Sequence, residues 1–183
     1  MEIKCSNFNE TIDYNSYRTL NYNFNKATSV AFGFAFKGDR EQENTDFQYT
    51  QENRIYEQFM HQFKIFRIEL MLRGRLEQRW INEEESFFTQ RARAFLSAQI
   101  PVWTNKEFTK GFYVAAQNEV FLNIENQDKV NESLFDQNRT FISTGYRWNK
   151  SVDTEIGYMY WHQPEMQETY NRHVIQLQVT TNF

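Results

Sequence analysis

Arginine is the residue of this chain whose spacing most invites a chemical reading. Arg73, Arg75 and Arg79 share one parity with Glu77, Arg91 and Arg93 repeat the two-residue interval, and Arg139 and Arg147 follow with Glu119 and Glu155 between and after them. A guanidinium stays charged and presents a planar fork, so such a set suits bidentate pairing with carboxylates or the holding of small anions. Nucleophilic chemistry has far less to work with. The histidines are His61, His162 and His173, and Ser143 has none of them at its expected depth. No catalytic residue is expected. His162, His173 and Glu168 are spaced as loop residues that rarely converge, so no metal and no cofactor is expected either.

What must position these arginines is a β-strand, and the stretch from Phe66 to Trp80 shows it best. Ile68, Leu70, Leu72, Gly74, Leu76 and Trp80 fall on one face, and Glu69, Met71, Arg73, Arg75, Glu77 and Arg79 on the other. Period two is the signature of a strand. Other segments repeat it. Phe88, Ala92, Ala94, Leu96, Ala98 and Ile100 oppose Arg91 and Arg93. Val114, Ala116, Val120 and Leu122 oppose Tyr113, Gln117, Glu119 and Asn123. Val30, Phe32, Phe34 and Phe36 oppose Ala31, Gly33 and Ala35, and Ile156, Tyr158 and Tyr160 share a face. Glu52, Arg54 and Gln58 are read as inward, against Ile55 and Phe59 outward, in a strand whose apolar face is weak. When charged faces recur from strand to strand they line an interior, and the apolar faces turn outward to lipid.

The expected fold is therefore all-β, an antiparallel up-and-down transmembrane β-barrel of about ten strands, with eight or twelve as alternatives, spanning 1–183 as a single domain. Mean hydropathy of −0.78 does not oppose this, because half of each strand faces a polar lumen. No apolar run approaches the ~20 residues of a transmembrane helix. A net charge of −4 with no basic cluster argues against a nucleic-acid partner. Cys5 is the lone cysteine, which leaves no intramolecular disulfide. Met1-Glu2-Ile3-Lys4 lacks the basic-then-apolar start of an export signal, so the expectation is a truncated N-terminus.

Turns are expected at 25–28, near His61 and Gln62, and at 149–151, with medium loops at 81–86 and, on the periplasmic side, 101–110, and longer loops at 37–46, 125–134 and 163–172. This alternation fits termini in the periplasm and longer loops outside. Trp80, Trp103, Trp148, Tyr146 and Tyr160 near strand ends are candidates for aromatic girdles. Leu177, Val179 and the terminal Phe183 form the kind of last strand that outer-membrane assembly machinery recognises.

In order along the chain, Arg75-Leu76-Glu77-Gln78-Arg79, Arg91-Ala92-Arg93, Asn118 to Asn123, Phe135 to Arg139, Gly145-Tyr146 and Glu155 to Met159 resemble a bacterial outer-membrane β-barrel family known as domain of unknown function 2490. The resemblance covers about residues 50–183 well and the first fifty loosely. It implies fold and an outer-membrane location in a Gram-negative bacterium, with no activity, since the family has none assigned.

The expected function is a small integral outer-membrane barrel whose charged, mostly filled lumen is built by Arg73, Arg75, Glu77, Arg79, Arg91, Arg93, Glu119, Arg139, Arg147 and Glu155. It would act as a structural or accessory subunit, not an enzyme. Its partners would be outer-membrane lipid, the assembly machinery and a further outer-membrane protein seated on loops or on Phe32, Phe34 and Phe36. The alternatives are a narrow, porin-like, anion-preferring channel and a soluble ligand-binding barrel of the lipocalin type, which would need an apolar interior.

Overall fold

A computed structural model describes residues 2–5, 12–43, 46–83, 85–166 and 168–181. The chain runs as one antiparallel meander in which every strand pairs with its neighbours in sequence. A four-residue strand, β1 (Glu2–Cys5), is followed by nine long ones: β2 (Ile12–Asn23), β3 (Thr28–Glu43), β4 (Asp46–Ile65), β5 (Ile68–Asn82), β6 (Ser86–Thr104), β7 (Gly111–Glu125), β8 (Phe135–Arg147), β9 (Val152–Pro164) and β10 (Thr169–Thr181). A 3-10 turn at Gln127–Lys129 is the one helical element among the described residues. Among the described residues no helix is long and apolar enough to cross a membrane.

Several strands run further than alternation of apolar residues predicts. The β3–β4 ladder continues from Lys37↔Glu52 to Glu43↔Asp46, so the expected long loop at 37–46 is instead a hairpin extension. Likewise β9 and β10 pair out to Pro164↔Thr169, which removes most of the loop at 163–172. Backbone hydrogen bonds need no apolar side chains, so polar residues extend a ladder once its neighbour continues. The turn placed near His61 and Gln62 lies at Phe66 and Arg67, where Phe66 takes a positive φ of 54°. β6 continues through Pro101 to Thr104, with an irregularity in register between Pro101 and Trp103 that accommodates the missing proline N–H.

The sheet curls. Arg147 on β8 bonds Glu69 on β5 at 3.2 Å, although three strand spacings on a flat sheet would hold their backbones ~14 Å apart. Inward residues of β3 to β9 are buried or half-buried by this curl, whereas β2 and β10 are exposed along the residues whose burial is described. Among the described residues β10 pairs only with β9.

Alternation sorts the two faces as expected. Ala31, Ala35, Tyr56, Tyr113, Ala115, Phe121 and Phe141 are buried on the inner face, beside buried Glu52, Glu77, Arg79, Arg91, Glu119 and Glu155. Leu20, Phe32, Phe34, Leu72, Leu96, Ile142, Ile156 and Leu177 are exposed on the outer one. Two tyrosines lie flat on glycines of the adjacent strand. A Cβ on Gly33 would stand 2.2 Å from the Tyr56 ring, and one on Gly145 would stand 2.4 Å from the Tyr113 ring. Only glycine permits that cover.

Candidate functional site: a charged inner face

The centre of the inner face is a chain of alternating charges running across β5 to β8. Arg73 Nη2 donates to Glu119 Oε1 at 2.8 Å, and Arg93 donates to the same oxygen at 2.8 and 3.0 Å. Arg93 Nη1 also reaches Glu77 Oε1 at 2.7 Å. The other oxygen of Glu77 accepts two bonds from Arg91, at 2.7 and 2.9 Å, and Arg91 Nη1 continues to Asp136 at 2.9 Å. Arg75 stands 3.6 Å from Glu77, forks onto Gln58 Oε1 and covers the Tyr56 ring at 4.2 Å. Nearer the end that carries the 126–134 loop, Glu52 is held between Arg54 and Arg79.

These arrangements follow from register. Arg75 is directly opposite Arg93, and Glu77 opposite Arg91, so a carboxylate on β5 meets arginines at two levels of β6. Glu119 on β7 lies opposite Phe95, one inward rung from Arg93. Strict alternation from Gln137 and Arg139 would turn Asp136 outward. An irregularity opposite Phe121 and Leu122 inserts Asp136 as an extra residue and turns it inward, burying both it and Gln137. Bulges re-aim side chains in this way, and alternation alone does not reveal them.

Arg139 is different from its neighbours. It packs over Phe121 at 5.0 Å and over Trp161 at 4.0 Å, with a single long bond to Gln137 at 3.3 Å, and its buried Nε has no partner. Around it, Arg73, Arg75, Arg91, Arg93 and Arg139 face Glu77, Glu119 and Asp136, so the centre carries a positive excess. Phe121, itself 1 % exposed, is flanked by Arg91, Arg93 and Arg139. Aromatic faces stabilise cations that have no carboxylate to spare.

The two ends of the inner face are covered. Phe108 folds in from the turn before β7 with a positive φ of 53°, 4 % exposed, beneath Arg147 at 4.1 Å and against Tyr113. Arg147 bonds the Phe108 carbonyl, Asp153, Glu69 and Gln99. Asn131, from the 126–134 loop, ties Asn123 to the carbonyls of Phe135 and Pro164 at the other end. Phe108 and Asn131 carry no periodic signal, which is why sequence reading passes over them.

Among the described residues Glu155 joins no arginine. Its two oxygens accept from Tyr113 at 2.9 Å and Ser143 at 2.7 Å, which engages the Ser143 hydroxyl with no histidine beside it. His162 and His173 lie on the outer face instead, bonded to Asn171 and Tyr158. Among the described residues no three metal-ligating side chains cluster.

Trp80, Trp103, Tyr146 and Trp148 lie at strand ends, whereas Tyr160, expected there too, sits inside β9 because that strand runs on to Pro164. Tyr146 stacks edge-on with Phe112 and with Trp148, both at 4.7 Å, near exposed Trp103. Trp80 leans on Phe88 at 5.2 Å near the opposite end, and Tyr160 bonds Asn171. Leu177 and Val179 are exposed on β10, while Phe183 lies outside the described residues.

A family model described as "Protein of unknown function (DUF2490)" matches residues 3–172, and the chain belongs to that family. No protein of curated function and no solved structure matches it.

Proposed function

We propose that this member of the DUF2490 family is a small integral outer-membrane β-barrel of a Gram-negative bacterium, with a charged, mostly filled interior, and that it serves as a structural or accessory subunit of an outer-membrane assembly. The carrying observation is the slant of the outward apolar band. On β3 the band Val30, Phe32, Phe34 and Phe36 centres on Gly33, which the ladders connect through Tyr56 to Glu77 on β5. On β10 the band Ile175, Leu177 and Val179 centres on Leu177. The ladders carry that level through Ile156, Thr144, Val114 and Ile100 to Ile68, one step beyond the Glu69↔Gln99 pair.

The centre thus drifts about nine residues along the strands, ~30 Å, while the sheet advances from β3 to β10, ~34 Å. That slant is about 40°, the tilt at which strands cross a bilayer in closed barrels. Leu70, Leu72 and Leu76 on β5 and Ile156, Tyr158 and Tyr160 on β9 fall along the same line. A flat slab of lipid demands a band oblique to tilted strands, and water makes no such demand. Free edges at β10 and the N-terminal strands would be costly in hydrocarbon, so this reading has them pair and close the wall. Outer-membrane lipid and the assembly machinery are then its partners.

A second reading, a narrow anion-preferring channel, draws on Arg139 and the positive excess around it. Planar-bilayer recording on protein refolded in detergent separates the two. Silence with the protein inserted is the outcome for the filled barrel. Steady anion-selective current would favour the second reading. A folded chain that needs no detergent would overturn both.

A further inference from the structure

The outer face of β2 to β5 carries a groove of about 630 Å³ lined by Leu20, Tyr22, Phe32, Phe59 and Leu76. Gly74 forms its floor, and a Cβ there would meet nothing within 4 Å. Two charges interrupt this apolar surface. Glu57 is exposed, with Gln78 Nε2 at 3.1 Å, and forms no ion pair among the described residues. Arg18, opposite Phe34, is exposed on the same face and likewise has no carboxylate partner there. Both fall on the midline of the slanted band: one strand from Gly33 in either direction, the drift of just over one residue leads to Glu57 on β4 and Arg18 on β2. In a bilayer that is where an ionised side chain is least tolerable.

We infer that this groove is the contact surface between two copies of this chain within the membrane, an inference that rests on the membrane reading above. Two copies inserted in the same direction are related by a two-fold axis along the membrane normal. Residues that meet across such an axis must lie at equal depth, and in an isologous contact each residue of a pair meets the other twice. Arg18 and Glu57 meet both conditions, being of opposite sign and level in depth although two rungs apart along the strands. Pairing them withdraws four charges from lipid, and the bare floor at Gly74 lets the opposing wall approach.

The full-length chain, refolded and reconstituted in lipid vesicles, tests this by dilution-dependent energy transfer between labelled copies. The wild type dimerises. Arg18→Glu or Glu57→Arg alone sets like charges together and weakens the dimer by about tenfold or more. The double exchange restores it to within about threefold of wild type. Gly74→Leu fills the groove where the monomer has room for it, and abolishes the dimer without loss of folding. An inserted wild type that stays monomeric, or a double exchange as weak as the singles, overturns the dimer and leaves the membrane reading standing. A chain that stays folded in buffer and does not insert overturns both.

Discussion

The two faces of β5 to β8 are held by different kinds of interaction. On the inner face each charged group depends on a particular neighbour: Glu77, 1 % exposed, serves Arg91 and Arg93 and lies beside Arg75. On the outer face Leu72, Leu96 and Ile142 are exposed and depend only on their apolar character. One face is specified residue by residue and the other by composition. Substitutions should therefore separate the faces by kind as well as by size.

Glu77→Ala has the largest expected effect. It strips Arg91 and Arg93 of one of the two carboxylates each pairs with, leaving Asp136 and Glu119, and breaking a buried pair from one side costs about 3–5 kcal/mol. Urea unfolding in detergent should register this as a lower midpoint with loss of the folded form. An unchanged midpoint would mean that the inner network is solvated. Leu72→Arg comes next and inverts the outer face. In lipid vesicles it should cost about 2–4 kcal/mol, read from guanidinium titration. A cost near zero would put Leu72 against water. Gly145→Val, which drives a branched side chain into the Tyr113 ring, should cost about 1–3 kcal/mol by overpacking. Thermal unfolding of the variant alongside Gly145→Val/Tyr113→Ala checks it, since the double variant removes the clash.

Much of this division is legible from alternation. Arg73, Arg75, Arg79, Arg91 and Arg93 share the inner face because period two carries every second side chain to the same side. What alternation cannot carry is an insertion in register, and Asp136 is reached only through the bulge opposite Phe121 and Leu122. Strand ends are equally hidden. Nothing apolar marks the extension of β3 to Glu43, and the turn at Phe66 and Arg67 is flanked by residues that alternate as well as strand residues do. Phe108 and Trp161 reach the inner face from a turn and from beside Arg139, and their role depends on which arginine they cover. Such pairings belong to tertiary geometry.

The membrane assignment stands or falls with the slanted band, and spin labels placed along it read its depth. Nitroxides introduced by Phe34→Cys, Leu72→Cys, Tyr158→Cys and Leu177→Cys in a Cys5→Ser background, with the protein reconstituted in lipid, report depth through their relative access to oxygen and to a polar nickel reagent. All four should lie in the central part of the bilayer, within about 9 Å of one another in depth, although the ladders put Phe34 and Leu177 about ten residues, or ~33 Å, apart along the strands. Labels at positions 34 and 177 that report opposite sides of the bilayer, or equal exposure to water at all four, would contradict it.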